Sequence, residues 1–475
     1  MWKLGKRTKR FVAAVACVLI TSVCCQSVGA VVDTDYVKSS SGEQIRIPKT
    51  YTVSAVYSDF GEAGTLDLAR DLFIDSKDRL YIADTNNNRV LMLDKDGQLC
   101  RIFTGPESQP IKSPQGVYVD DDGDVFIADT DNSRVLHLSP EGEFVEEFTA
   151  PESELLGEDF AFQPNKLYVD STGNITILKR DAFFIMDSNG EFLGYAGAST
   201  VSYSLWRVLV RIFGTEQQRK QIVKAQAYAY SNFLIHDDGM IYAVSADVNN
   251  NQIMKITSVG VNVYPTGVYG EFINNKRPQF ADLAVDSVGI ISAVDTVSGQ
   301  IYQYSPDGDL LTVFGGLGDT KGTFQLPTSM AIDSEGRLYV LDGMLNNIQV
   351  FEPTSFIKKV HSAVKQYGDG NYFEARNSWE EVLEMDESYQ LARTGLGDAF
   401  MKEEHWKEAL SEYELAENYS GYSKAFSEIR QEWIRGHFTL CVGIIVLVLT
   451  AFVVLFIFAK RYAESENKIK KQKND

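Results

Sequence analysis

The octapeptide ADTNNNRV at residues 83–90 returns at residues 128–135 as ADTDNSRV. An apolar run precedes and follows both copies, and each following run ends in a turn that contains glycine. Short apolar segments interrupted by Asp, Asn and Gly are typical of antiparallel strands joined by tight turns. A repeated unit of this kind constrains the architecture before any single residue indicates a chemistry.

The number of repeated units follows from a turn that recurs along the chain. It begins at six positions: Asp75, Asp120, Asp170, His236, Asp286 and Asp333. The last residues of these turns are separated by 45, 50, 66, 50 and 47 positions. Four nearly equal spacings and one longer spacing predict six four-stranded units with one insertion, which is the period of a β-propeller blade.

The sixth unit lacks a fourth strand, because a helical pattern begins at Phe356 directly after its third strand. Residues 51–57 form a strand-like run that belongs to no unit. We therefore expect residues 51–57 to pair with residues 348–351 and to close the ring, which removes an open sheet edge.

These units resemble the NHL-repeat family of propellers over about residues 45–355. The family phrase, an apolar residue followed by Ala-Asp-x-x-Asn-x-Arg-Val, is complete in both copies above, and later units keep less of it. The resemblance implies a mainly β, six-bladed propeller. It implies no function, since propellers carry many functions.

Two roles are open for the polar residues of the repeated phrase. In the structural interpretation, Asp caps the loop and Arg bridges to the neighbouring blade. In the ligand interpretation, acceptor side chains line one face of the ring: Asp84, Asn86, Asn87, Asn88, Asp129, Asp131 and Asn132. No loop has the regular oxygen-ligand spacing of a dedicated calcium site, so we expect no metal there.

Residues 199–227 lengthen the connection between the third and fourth units and form a basic amphipathic segment. Its apolar and basic residues are candidates for contact with lipid or a membrane partner: Trp206, Arg207, Arg211, Phe213, Arg219 and Lys220. The alternative is a helical hairpin that packs its apolar side on the propeller. One apolar stripe does not distinguish these two environments.

Residues 356–435 change to the period of an α-helix. Two segments 34 residues apart, residues 372–375 and residues 406–409, resemble tetratricopeptide repeats. We predict a small tetratricopeptide-like helical stack. A spacer above a membrane and a peptide-binding groove remain open as its role.

The two ends of the chain indicate a membrane protein. Residues 1–30 have a basic start, an apolar run and small residues near Ala30, which predicts a cleaved signal peptide. Cys24 and Cys25 leave lipidation as an alternative. Residues 438–458 contain no charge and span about 31 Å as a helix, enough to cross a bilayer.

The basic residues 459–475 predict a cytoplasmic tail, which places the propeller outside the cell in a single-pass topology. The net charge of −20 makes nucleic acid an improbable partner for the exported part. With the signal removed, Cys100 is the single cysteine outside the membrane, so the exported region must be stabilised by its core.

Propeller enzymes that resemble this fold, such as the streptogramin lyase and the lactonases, place a metal with His or carboxylate ligands at the central channel. The predicted propeller contains His137 and His236, and neither has a second His at ligand spacing. We therefore predict no catalytic residue, no metal and no cofactor.

We interpret the chain as a non-catalytic binding or scaffolding protein at the cell surface, with a protein partner at the membrane. By analogy with similar anchored proteins, that partner belongs to a membrane transport or envelope complex. The alternative function is a metal-dependent lyase or lactonase that acts at the propeller face.

The basic insertion generates the first testable prediction. Changing Arg207, Arg211, Arg219 and Lys220 to Glu in residues 31–435 should lower binding to anionic liposomes, because it reverses the charge that attracts the lipid surface. Vesicle co-sedimentation measures this, and circular dichroism checks that the fold survives. Unchanged vesicle binding by the folded variant would leave the packed hairpin as the interpretation.

Overall fold

The computed structural model describes residues 35–39, 42–153, 156, 160–179, 182–196, 229–245, 251–273 and 275–472. The chain divides into two compact units, Met1–His361 and Ser362–Asp475, which are described separately below. The predicted signal peptide and the insertion at residues 199–227 lie outside the described residues.

In the described part of the first unit, the strands form six sheets. Three strands come before the first complete blade: β1 (Asp35–Lys38), β2 (Gln44–Ile47) and β3 (Tyr51–Tyr57). Blade 1 contains β4 (Asp71–Ile74), β5 (Leu80–Asp84), β6 (Arg89–Leu93) and β7 (Leu99–Phe103). Blade 2 contains β8 (Pro114–Val119), β9 (Val125–Asp129), β10 (Arg134–Leu138) and β11 (Phe144–Phe148). Short 3₁₀ helices lie at Gly61–Ala63 and Thr130–Asn132.

The later blades follow the same order. Blade 3 contains β12 (Leu167–Val169), β13 (Ile175–Lys179), β14 (Ala182–Met186) and β15 (Phe192–Ala196). Blade 4 contains β16 (Tyr230–Ile235), β17 (Ile241–Ser245) and β18 (Ile253–Ile256). Blade 5 contains β19 (Phe280–Val285), β20 (Ile291–Asp295), β21 (Gln300–Tyr304) and β22 (Leu310–Gly315). Blade 6 contains β23 (Pro327–Ile332), β24 (Leu338–Asp342) and β25 (Asn347–Pro353).

The apolar cores lie between consecutive blades. All residues of β5 are buried. Leu80 and Ile82 pack in the cluster shared with blade 6, whereas Tyr81 and Ala83 pack in the cluster shared with blade 2. Because successive strand residues point to opposite faces, an apolar run of this length lets one strand fill two cores. The predicted six-bladed β-propeller is confirmed.

The recurring turn lies between the first and second strands of each blade. Its first aspartate stabilises it. Oδ1 of Asp75 accepts the backbone N–H groups of Lys77 and Arg79, both at 2.9 Å. The fourth residue has a positive φ, which is 95° at Gly123 in blade 2 and 57° at Asp78 in blade 1. Glycine suits this left-handed conformation, and Asp tolerates it, which explains why blade 1 departs from the glycine pattern.

The ring closes as predicted. β3 pairs with β25 as the outer strand of blade 6, with Ile348 opposite Tyr57 and Phe351 opposite Val53. Tyr51, at the start of β3, also stacks on Phe314 of blade 5 at a centroid distance of 4.7 Å. The beginning and the end of the propeller sequence therefore share one sheet.

Blades 4 and 5 differ from the predicted four strands. In the described residues, the outer strand of blade 4 is reduced to a bridge between Ile256 and Asn262. The side-chain oxygen of Asn262 accepts the N–H groups of Lys255 and Tyr264 at 3.1 Å each, so an amide side chain replaces a ladder carbonyl. Blade 5 gains β1 and β2 on its outer edge and becomes six-stranded.

Helix α1 (Ser355–Gly368) begins directly after β25. Its first turns belong to the first unit and bury Phe356, Ile357 and Val360. Nε2 of His361 lies 2.7 Å from Oε1 of Gln303 on β21. Burial lowers the pKa of His361 to about 4, so this contact is made by the neutral imidazole.

The second unit contains the predicted helices. After α1 they are α2 (Tyr372–Met385), α3 (Gln390–Lys402), α4 (Trp406–Leu415), α5 (Tyr419–Gly436) and α6 (Phe438–Gln472). Consecutive helices from α2 to α5 pack on one another. Glycines allow this close approach, since a Cβ at Gly395 would collide with Trp379 and one at Gly421 would collide with Tyr413.

Within the described residues, one helix is long and apolar enough to cross a membrane. This stretch, Phe438–Ala463, covers most of α6 and contains the predicted span at residues 438–458. Length and composition alone support this assignment, as they did in the sequence.

Ring closure generates the second prediction. Deleting residues 31–58 should lower the urea concentration at the unfolding midpoint strongly, because it removes β3 and exposes the edge of β25. Equilibrium unfolding of the full chain in detergent measures the midpoint. As the matched control, deletion of residues 31–48 removes β1 and β2 but keeps the ring closed, so it should cost less. Equal midpoints for the two deletions would contradict the role given to β3.

Candidate functional site

The first aspartate of the repeated phrase is buried and fully hydrogen-bonded. Asp84 has no exposed surface, and its Oδ1 accepts the N–H of Asp67, in the loop that enters the same blade, at 2.9 Å. Its Oδ2 accepts Nδ2 of Asn87 at 2.9 Å and Nε of Arg89 at 2.8 Å. Asp84 therefore fastens the loop that enters blade 1.

The second copy makes the same contacts. Asp129 is also fully buried and accepts the N–H of Lys112 at 2.7 Å. It accepts Nδ2 of Asn132 at 2.9 Å and Nε of Arg134 at 2.7 Å. The Asp, Asn and Arg of the phrase thus form one hydrogen-bonded cluster, which we call the fastener, and it holds the loop that enters the blade. This agrees with the structural interpretation of the sequence.

The threonine of the phrase makes the contact with the next blade. Oγ1 of Thr85 donates to the carbonyl of Pro114 at 2.8 Å, and Oγ1 of Thr130 donates to the carbonyl of Pro164 at 2.6 Å. The arginine of each copy instead donates to a carbonyl of the loop that enters its own blade. The prediction that arginine bridges to the neighbouring blade is therefore wrong.

Besides Asn87, three of the predicted acceptor residues are exposed: Asn86, Asn88 and Asp131. Oδ1 of Asn88 accepts the N–H of Ser113 at 2.8 Å, and Oδ2 of Asp131 accepts the hydroxyl of Ser113 at 2.9 Å. These contacts connect the loops of blades 1 and 2. A ligand role for these three residues stays a prediction.

The predicted contact residues of the insertion lie outside the described residues. They are Trp206, Arg207, Arg211, Phe213, Arg219 and Lys220. Their membrane or partner role also stays a prediction.

One equivalent position in every blade, four residues before the recurring turn, carries a polar residue in five of the six blades and glycine in blade 2. In blade order, these residues are Asp71, Gly116, Lys166, Asn232, Asp282 and Ser329. We call them the channel ring. They lie at or beside the start of each innermost strand, and all but Lys166 are buried.

Lys166 and Asp71 form a close ion pair in the channel ring. Nζ of Lys166 lies 2.5 Å from Oδ1 of Asp71, which is 1% exposed. Oδ2 of Asp71 accepts the N–H of Val117 in blade 2 at 2.9 Å. One carboxylate therefore connects blades 1, 2 and 3.

Asp282 extends the network to blades 5 and 6. Its Oδ2 accepts the hydroxyl of Ser329 at 2.6 Å and the N–H of Met330 at 2.9 Å. Oγ of Ser329 also lies 3.3 Å from Oδ1 of Asp71, so the serine lies between the two carboxylates. Asp282 is 3% exposed.

The pKa values in this network are perturbed by burial and by charge. Burial raises the pKa of Asp282 to about 6, against the lowering effect of Lys166. Burial alone would lower the pKa of Lys166, but Asp71 and Asp282 outweigh it and raise that pKa above its ordinary value. A buried carboxyl group that titrates near neutral pH in a cleft is typical of a functional site.

A cavity of about 280 Å³ lies at this end of the channel. Its wall includes Asp71, Lys166 and Asn232 of the channel ring. It also includes the residue preceding each ring position: Arg70, Gln115, Asn165, Ser231, Ala281 and Thr328. Leu178, Leu326 and Pro327 add apolar surface, so the wall is partly polar and partly apolar. The cavity lies on the face where the innermost strands begin. The loops with the exposed asparagines lie on this same face, since the second strand of each blade ends there.

The residues of the channel ring were not among the predicted site residues, although the sequence contains a signal for them. Aligning the units on the turn places all six residues in one column. The column contains a different residue in almost every unit, so it forms no motif. The signal was a polar residue in five of the six units, directly before the first apolar residue of the innermost strand's core-facing run.

The two histidines of the propeller lie elsewhere. His137 is on β10, the third strand of blade 2, with Nδ1 3.0 Å from Glu146 and Nε2 3.1 Å from Asp124. His236 begins a turn and lies 3.1 Å from the carbonyl of Asp286. Neither of them lines the cavity.

Comparisons with known proteins give a partial match. The family model for the SMP-30/Gluconolactonase/LRE-like region matches residues 31–172, less than half of the chain. Among curated proteins, no sequence match was found.

Several solved structures are similar to this chain. A streptogramin B lyase structure is 14% identical, with 68% of this chain and 87% of that chain covered and a TM-score of 0.40. A putative gluconolactonase is 13% identical, with 68% and 98% covered and a TM-score of 0.41. A protein of unknown function from Bacteroides thetaiotaomicron is 13% identical, with 66% and 79% covered and a TM-score of 0.44. Scores at this level assign no function, and the resemblance to NHL repeats stays a prediction.

The channel residues do not fit a divalent metal. The ammonium group of Lys166 already occupies the space beside Asp71 that a cation would need. Across the part of the chain that the structure describes, no group of three or more His, Cys, Asp or Glu side chains is arranged to hold a metal ion. These residues form a polar pocket in which the ammonium group of Lys166 compensates the charge of Asp71.

Asp282 generates the third prediction. Because its folded-state pKa is raised from 3.8 to about 6, the folded protein binds an extra proton in this window. The free energy of unfolding of the wild type should therefore fall as pH rises from about 4 to about 6, by at most about 3 kcal/mol. Asp282→Asn should lack this fall, which urea unfolding between these pH values measures.

Asp187→Asn is the matched control. Backbone N–H groups of Glu191 and Asn189 lower the pKa of Asp187, so the wild type gains stability from it as pH rises. The unfolding series is therefore extended below about pH 4, where Asp187 titrates. In that range this variant should weaken relative to the wild type as pH rises, whereas Asp282→Asn should gain relative to the wild type as pH rises from about 4 to about 6. The same pH trend in both variants would contradict the assignment.

Proposed function

We propose that the protein is a membrane-anchored binding protein whose propeller binds a small polar molecule at the mouth of its central channel. The observation that carries this proposal is the buried network of Asp71, Lys166 and Asp282, in which Asp71 and Lys166 line the cavity. Convergent polar groups with perturbed pKa values in a cleft are the general mark of a binding site.

The size and the lining of the cavity indicate the ligand class. A volume of about 280 Å³ lies at the lower end of the range for small-molecule pockets. The wall offers the amides of Gln115, Asn165 and Asn232 and the hydroxyl of Thr328, beside apolar surface from Leu178, Ala281, Leu326 and Pro327. This chemistry suits a neutral or weakly charged ligand of several hydroxyl or carbonyl groups, about the size of a monosaccharide.

The candidate span supports the membrane anchor. We propose that residues 438–458 cross the cell membrane, with the propeller outside and the basic residues from Lys460 onward in the cytoplasm. The net charge of −20 is unfavourable for binding of nucleic acid.

The helical unit supports a protein partner at the membrane. Trp379 packs against a glycine of the helix that follows it, and so does Tyr413, 34 residues later. This repeated contact favours the tetratricopeptide-like interpretation. Phe426 and Trp433 on the last helix before the span remain half exposed, at 50% and 53%. Apolar surface of this kind marks a contact, which we assign to the partner.

A second candidate function is a lyase or lactonase, because the description of the matched family model names a gluconolactonase. Its matched region includes Asp71 and Lys166. Without a metal, the acid–base group available at the channel is Asp282, whose pKa of about 6 suits proton transfer near neutral pH. An assay for lactone hydrolysis by the full-length protein in detergent, with and without EDTA, separates the two functions. We expect no turnover, whereas hydrolysis lost in EDTA would establish a metal enzyme.

The fourth prediction tests where the ligand binds. A panel of monosaccharides, sugar acids and sugar lactones should contain a member that raises the melting temperature of the full-length protein. Ala281→Phe fills the cavity and should abolish this rise. Asn86→Ala and Asp131→Ala, on the outer loops of the same face, should keep it. A rise that survives Ala281→Phe and is lost in the loop variants would place the ligand on the predicted asparagine-rich face instead.

A further inference from the structure

The channel ring holds two buried carboxylates and one ammonium group from three different blades. Asp71 is 1% exposed and Asp282 is 3% exposed, while the side chain of Lys166 is 14% exposed. The two carboxylates repel one another, and Lys166 attracts both. Two buried anions without a cation would be strongly unfavourable.

The positions of the carboxylates do not depend on Lys166. The N–H of Val117 holds Oδ2 of Asp71 at 2.9 Å. The hydroxyl of Ser329 and the N–H of Met330 hold Oδ2 of Asp282 at 2.6 Å and 2.9 Å. The second oxygen of Asp71, Oδ1, meets the ammonium group. The second oxygen of Asp282, Oδ1, accepts the N–H of Leu283 at 2.8 Å and has a further lone pair for another donor or a cation.

We infer that the ammonium group of Lys166 is a built-in substitute for a divalent cation, and that removing it converts the channel ring into a site for a hard divalent cation. The oxygen donors would be the carboxylates of Asp71 and Asp282 and the hydroxyl of Ser329, completed by water. Carboxylate, hydroxyl and water oxygens are the ligands that Ca²⁺ and Mn²⁺ take.

The ammonium group of Lys166 also determines which hydrogen-bonding groups the channel ring offers to a ligand. This step rests on the channel being the binding site proposed above. Of the three N–H bonds of Lys166, one is used by Asp71 among the described residues. The amide nitrogen of Asn232 has no hydrogen-bond acceptor among those residues, while its Oδ1 accepts the N–H of Phe233 at 2.8 Å. Both groups line the cavity, so the ring presents N–H donors to an acceptor oxygen of the ligand, such as a carbonyl.

The fifth prediction tests the built-in cation with metal alone. Full-length protein in detergent is stripped with EDTA and then titrated with Mn²⁺, with Ca²⁺ as a second probe. Lys166→Met should bind Mn²⁺ at least about tenfold more tightly than the wild type, and its melting temperature should rise as the metal is added. Lys166→Arg keeps a cation in the ring and should respond as the wild type does.

The double variant Lys166→Met/Asp282→Asn is the matched control, because it removes the ammonium and one carboxylate together. It should lose the metal response gained by Lys166→Met. Equal Mn²⁺ responses of the wild type and Lys166→Met would overturn the inference, and so would a gain that persists in the double variant.

If Lys166→Met does not fold without metal, its folded fraction is measured after refolding with and without Mn²⁺. Restoration of folding by Mn²⁺ supports the inference, and failure to restore it overturns the inference. No ligand is present in these titrations, so their outcome is independent of whether the proposed ligand binding fails.

Discussion

A buried carboxylate at the end of the second strand holds a blade to the loop that enters it. Asp84, Asp129, Asp295 and Asp342 occupy this position in blades 1, 2, 5 and 6, and all four are fully buried. Each accepts a backbone N–H from the entry loop, at 2.6–2.9 Å. A buried carboxylate accepting backbone N–H groups is a strong, charge-assisted contact. It fixes the loop from which the innermost strand starts.

The geometry of the channel follows from this contact. The entry loop leads directly into the innermost strand, and the channel ring lies at the beginning of that strand. In blades 1 and 2, the threonine after the carboxylate also binds the segment at the start of the next blade's innermost strand, as Thr85 does at Pro114. Fixing the start of one strand therefore fixes its neighbour. Lys166 and Asp71 are brought within 2.5 Å by this arrangement although they lie 95 positions apart in the chain.

The fold could be predicted because its signals repeat. The turn spacing gave six blades, and the missing outer strand of the last blade gave the pairing of β3 with β25. The six-stranded blade 5 could not be predicted, since residues 35–47 match no unit. The loss of the outer strand in blade 4 depends on one side chain, Asn262, which replaces a backbone acceptor. The spacing of turns and apolar residues in the sequence does not indicate such a replacement.

The candidate site could be predicted much less well. The most visible residues in the sequence are those that repeat, and in the structure Asp84 and Asp129 make the same contact with the entry loop of their own blade. A binding site in a propeller needs a different residue from each blade, since one ligand contacts all blades at once. Its residues therefore vary along the aligned column, and a search for repeated phrases passes over them. The alignment of the turns, read column by column, contained the information.

The blades that lost the fastener are those that supply donors to the channel. Blades 3 and 4 have Lys179 and Ser245 where the others have the buried aspartate, and they contribute Lys166 and Asn232 to the ring. Blades 1 and 5 keep the aspartate and contribute the two ring carboxylates. The predicted insertion also falls between blades 3 and 4. Departures from a local rule concentrate where function imposes another requirement. The channel is therefore asymmetric, with its N–H donors on the irregular side of the ring and its carboxylates on the regular side.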